Sequence, residues 1–129
     1  MRQKIFNVQG LEHGGVPLAC RIGPMVATSV IMGHDPATRA MPADADQQAR
    51  NAFNNLKLVM QQAGLDLGDV IKVTMYVKRE SDRPAVVRNW EAAWPDVAHR
   101  PARRMLAYPE MRNDWLVQIE ALAVARDAG

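Results

Sequence analysis

The segment HRPARRML, His99–Leu106, holds three arginines and a histidine, and farther along Glu120 interrupts the apolar run WLVQIEALAV. A guanidinium fixed on a strand can hold a carboxylate through two parallel hydrogen bonds. Such charge-assisted bonds contribute about 1.5–3 kcal/mol each, more than a rim contact. A carboxylate in apolar surroundings costs on the order of several kcal/mol unless it is paired, hydrogen-bonded or neutralised. Glu120 therefore reads as a group kept for a task, as a surface-facing residue on an exposed strand, or as half of a structural ion pair. For Arg103 the plain alternative to a ligand is a salt bridge to Glu120. Alternation over 102–108 puts Arg103, Met105 and Ala107 on one face of a strand and Arg104, Leu106 and Tyr108 on the other. The arginines do not act as one patch.

Other constellations are weaker. His13, His34 and His99 are scattered and Cys20 is the single cysteine, so no metal-ligand spacing is present and no metal is expected. Ser29 sits in ATSVI, without the glycines of a nucleophile elbow. The stretch LEHGGVP matches no phosphate-cradling motif. Cys20 reads as a small core residue.

The elements that must position these groups fit one domain, 1–129. No repeat, low-complexity tract or flexible linker divides the chain. About half the residues are apolar, and the formal charge is +2. That charge is too small for a dedicated nucleic-acid binder. A lone cysteine, no apolar leader and no membrane-length apolar run make a soluble, cytoplasmic protein the default expectation.

The segment KIFNV suits a first strand. PLACRIGPMVATSVI reads as two strands about a turn at Gly23–Pro24, followed by a loop, MGHDPATRAMP. Ala49, Ala52, Phe53, Leu56, Met60 and Ala63 recur at helical spacing, with Asp44 or Asp46 to cap the start and Gly64 at the end. DVIKVTMYVK alternates as a strand. A second helix is expected from about Asp82 to Trp94, with Pro84 in its first turn and Val86, Val87, Trp90, Ala93 and Trp94 buried. Strands over about Ala102–Tyr108 and WLVQIEALAV complete a β-β-β-α-β-α-β-β order. This is an α+β mixed sheet with two helices on one face. The other face needs a cover, and a symmetric oligomer supplies one.

The blocks QQARNAFNNLKLVMQQAGLDLGDVIKVTMYVKR, RPAR and VQIEALAV resemble the RidA/YjgF reactive-intermediate deaminase family, once described as L-PSP endoribonucleases. The resemblance spans nearly the whole chain. It implies a chorismate-mutase-like fold and a homotrimer with ligand sites in clefts between subunits. It further implies that Arg103 binds the substrate carboxylate and that Glu120 positions the attacking water. Met105 falls where the family often has a cysteine whose backbone helps bind that water or the substrate nitrogen. Ser29 matches the pocket serine of the family's S-G-Q stretch. The implied reaction is hydrolysis of a 2-imino or enamine carboxylic acid to a 2-keto acid and ammonia, with no cofactor.

Several pocket positions depart from the family pattern. GGVPL replaces G-P-Y, leaving Val16 or Pro17 where the pocket tyrosine would be. Val30 replaces the glycine after Ser29. Val87 takes the place of a pocket-side asparagine, and Arg104 that of a small polar residue. The clamp survives in a more apolar pocket. The expected function is an imine deaminase; the alternative is a non-catalytic trimeric small-carboxylate-binding or regulatory protein. A ribonuclease ranks last, because net charge, few aromatics and opposed arginines suit RNA poorly.

Overall fold

The computed structural model describes residues 2–5, 7–12 and 14–126. Strands β1 (Arg2–Ile5), β2 (Ala19–Ile22), β3 (Met25–Thr28) and β4 (Ile31–Met32) precede helix α1 (Ala45–Gln62). Strand β5 (Val70–Val77), helix α2 (Arg83–Ala93), strand β6 (Ala102–Ala107) and strand β7 (Val117–Val124) follow. They form one sheet in the order β1-β2-β3-β7-β5-β6, with β4 paired to β7 beyond β3. All pairings are antiparallel except β5–β6, which α2 connects as a crossover. The last strand thus lies at the centre and β6 at an edge.

α1 forms because its apolar residues share one stripe, and both ends are chemically marked. The Asp44 carboxylate accepts the Gln47 N–H at 3.1 Å, and Gly64 takes φ +84° just past the C-cap, where a side chain would be strained. The stripe is not wholly apolar. Gln48 and Asn55 are fully buried on it. Gln48 Nε2 donates to Pro42 O (2.7 Å) and Asp114 O (2.8 Å), and its Oε1 accepts from Leu116 N (2.8 Å). Asn55 Nδ2 donates to Met32 O and His34 O. The pairs close because the chain just after β4 runs tight against α1: a Cβ at Gly33 would collide with Gln48 O.

α2 begins with Pro84 in its first turn, where the missing N–H costs nothing. Val86, Trp90 and Trp94 are buried, while Val87 and Ala93 are half-buried. Both helices lie on one face of the sheet. There Val26, Val73, Met75, Val77, Val117, Ile119 and Ala123 are all inaccessible and form the core. Among the described residues no element covers the opposite face.

The α+β class and the helix positions match the sequence reading. Two details differ. β1 spans Arg2–Ile5 rather than Lys4–Val8, with Phe6 outside the described residues, and the expected loop after Ile31 begins with the short β4.

Candidate functional site

Register decides which side chains share a face. Along β5–β6, Val73 pairs with Arg103 and Thr74 with Arg104. Along β5–β7, Val73 pairs with Ala121 and Thr74 with Glu120. Directly paired residues project from the same side. Arg103 and Met105 therefore belong to the helix face, and Arg104, Thr74, Tyr76 and Glu120 to the open face. The candidate residues separate into two groups.

The first group is built at the β6 edge. The Arg103 guanidinium carbon stands 4.5 Å from the Trp90 ring centroid, and that of Arg100 stands 5.2 Å from it. Arg100 Nε donates to Trp94 O at 2.8 Å. Among the described residues neither arginine forms an ion pair. Met105 is half-buried against the core, and Val87 is half-buried one turn before Trp90 on α2. Nearby, Asp96 accepts from His99 Nδ1 (2.8 Å) and Ala98 N (3.0 Å). The His99 bond above all, then the Ala98 N–H and the charges of His99 and Arg100, outweigh desolvation and hold this carboxyl below its usual range.

The second group lies on the open face. Tyr76 Oη donates to Glu120 Oε1 at 3.0 Å. Burial first, then the hydrogen bond and charge of Glu120, raise the Tyr76 phenol above its usual value, against the opposing pull of Arg104. The phenol is protonated at neutral pH and acts as a donor. Gln118, nine-tenths buried, pairs in register with Tyr76. Between Ala27, opposite Leu122, and Ile31, opposite Ile119, residues 28–30 bend past Glu120 and Ala121. Thr28 Oγ1 accepts the Ala121 N–H at 3.0 Å. Ser29 turns its N–H (2.9 Å) and its hydroxyl (3.4 Å) to Leu18 O, the residue after half-buried Pro17. Val30 is half-buried at the same bend.

The structure brings Glu120, Ser29, Val30 and Pro17 toward one region and Arg103, Met105 and Val87 toward another. The direct Arg103–Glu120 salt bridge considered above is not formed: the two side chains leave opposite faces, with β5 between their strands. A cavity of about 210 Å³ opens beside Leu18, Ile31 and Met32, and neither Arg103 nor Glu120 lines it. No cluster of metal-ligating side chains occurs among the described residues, and no described helix is long and apolar enough to cross a membrane. The sequence reading gave no site role to Tyr76, Trp90, Arg100 or Gln118, taking Arg100 as solvated rim or interface. Tyr76 had a visible signal, as the large polar member of the alternating face of β5. Trp90 was read only as core.

Comparison with known proteins agrees with this fold. The profile of the family described as Endoribonuclease L-PSP matches residues 15–125. The 2-iminobutanoate/2-iminopropanoate deaminase of Escherichia coli strain K12 is 36% identical over 106 residues, covering 81% of this chain and 83% of the relative. The crystal structure of the E. coli YjgF gene product superposes with a TM-score of 0.86 at 31% identity, over 96% of this chain and 100% of that one. E. coli TdcF with bound serine gives a TM-score of 0.86 at 29% identity and the same coverage. Sequence and fold agree over nearly the whole length, and the chain belongs to the RidA/YjgF, or Endoribonuclease L-PSP, family.

Proposed function

We propose that the protein hydrolyses 2-imino and enamine carboxylic acids to 2-keto acids and ammonia. In this reading it acts as a homotrimer whose sites lie between subunits. The observation that carries the reading is Arg103, whose guanidinium lies over the Trp90 ring with no carboxylate paired to it among the described residues. The bidentate geometry suits a substrate carboxylate and presents the adjacent C=N carbon in one orientation. Glu120 of a neighbouring subunit supplies the second half. Its carboxylate takes a proton from water as the oxygen bonds to C2. That proton passes to nitrogen, the adduct's hydroxyl proton follows through the same carboxylate, and the C–N bond breaks as the keto group forms, releasing ammonia. An enamine enters after protonation at C3. No electrons are transferred overall, so the reaction calls for no cofactor. Met105 and Val87 flank the arginine side; Ser29, Val30 and Pro17 flank the glutamate side.

The commitment of Ser29's N–H and hydroxyl to Leu18 O supports a second reading, a small-carboxylate binder without turnover. One experiment separates the two. Imino acids are generated in situ by an amino-acid oxidase and the residual imine is trapped with semicarbazide. Wild type is expected to accelerate imine loss, Arg103→Ala to abolish the acceleration, and Glu120→Gln to lower the rate while keeping keto-acid binding. Equal imine loss with wild type and Arg103→Ala would defeat the enzymatic reading. Tight keto-acid binding without turnover would establish the binder. Ribonuclease action has no comparable support, because Arg103 and Arg104 face opposite ways.

A further inference from the structure

Trp90 is a platform for two cations rather than one. Its indole is only 8% exposed, yet Arg103 approaches from β6 at 4.5 Å and Arg100 from the preceding loop at 5.2 Å. Each stacking is attractive through the ring quadrupole, but two like charges on one ring repel unless an anion joins them. Arg100 is not a wandering surface side chain. It is half-buried, and its Nε is tied to Trp94 O, which leaves the terminal amino groups available. Asp96 feels the charge of Arg100, but it is engaged by His99 and Ala98 and lies outside ion-pair distance of Arg100. The Trp90 Nε1 is itself buried with no acceptor among the described residues.

From this arrangement we infer that Arg100 is a second anion-binding residue beside the Arg103 clamp, so that the site selects 2-imino and 2-keto acids bearing a second carboxylate. The inference rests on the reading of Arg103 as the carboxylate clamp. A short dicarboxylate places one acid group on each guanidinium and removes the repulsion between them. A monocarboxylate of equal length leaves Arg100 unmatched and brings an apolar end to it.

Calorimetry on the full chain with 2-oxoglutarate and 2-oxopentanoate, matched in length, tests the idea. Wild type is expected to bind the dicarboxylate about ten-fold more tightly, the scale of one charge-assisted contact. Arg100→Gln, whose amide can still donate to Trp94 O, should erase that preference and leave 2-oxopentanoate affinity within about two-fold. Equal wild-type affinities, or an Arg100→Gln loss shared by both acids, overturns the proposal. Arg103→Ala tests the clamp separately: it should weaken both acids. If it does so while Arg100→Gln changes neither, the second-anion proposal alone fails. If Arg103→Ala binds both as wild type does, the clamp reading fails.

Discussion

At the scale of single residues, the hydrogen bond from Tyr76 to Glu120 occupies Oε1 and leaves Oε2 for water. Tyr76 then acts as a positioning residue for the carboxylate. Tyr76→Phe keeps the ring and its edge contact with Tyr108 (6.4 Å between centroids) and removes only the donor. In the imine assay kcat should fall about ten-fold with KM nearly unchanged, because the lost contact orients water and not substrate. A rise in KM with kcat intact would place Tyr76 in substrate binding instead. Asp69 poses a different residue-scale question, one of stability. Burial alone would raise its pKa, but the Asp66 N–H and the Arg126 guanidinium outweigh burial and set it below the usual 3.8. The native state therefore binds fewer protons than the unfolded chain near that pH. The stabilisation is complete above 3.8 and is lost as pH falls through the lower native value. Urea midpoints measured from pH 6 down to about 2 should fall more steeply for wild type than for Asp69→Asn, converging at the acid end.

At the scale of elements, Gln48 joins α1 to the segment that enters β7. One fully buried amide satisfies Pro42 O, Asp114 O and Leu116 N. Gln48→Leu conserves volume but orphans all three groups, at a cost of about 3 kcal/mol, or about 10 °C in Tm. Calorimetric scans of the two proteins check it; a shift under a few degrees would mean that water or relaxed geometry replaces the amide. The helix itself was legible: stripe, Asp44 cap and terminal Gly64 lie where the residue types placed them. Gln48 and Asn55 also fall on the apolar stripe by spacing, a sign of buried amides that apolar counting alone passes over. The short β4 was hidden for a different reason. Two residues carry no readable alternation, and Ile31–Met32 becomes strand only because β7 and α1 pack around it.

For the whole molecule, alternation within β6 correctly separated Arg103 from Arg104, but it could not say which of them shares a face with Glu120. That follows from the order β7-β5-β6 and its register, long-range facts that no local pattern encodes. The outcome matters for function. The open face has an apolar end, with half-exposed Ile22 and Met25 beside Leu122 and Val124, and a polar end with Thr74, Tyr76, Arg104 and Glu120. A face of this kind, bare in one subunit, suits a second copy. Under the proposed trimer, Arg103 of one subunit works with Glu120 of the next, and each subunit contributes unlike halves to two sites. Two impaired variants then hold complementary intact halves. Arg103→Ala chains, inactive alone, and Glu120→Gln chains, slowed alone, should gain activity above either when unfolded together and refolded as an equal mixture. Random assembly in a closed ring pairs an intact arginine with an intact glutamate at about one site in four, so about a quarter of wild-type activity should return. Refolding each variant separately before mixing should restore none if subunits do not exchange. Recovery absent from the co-refolded mixture, with mixed oligomers confirmed by mass spectrometry, would mean that both residues act from one chain and that the faces reorganise to let them.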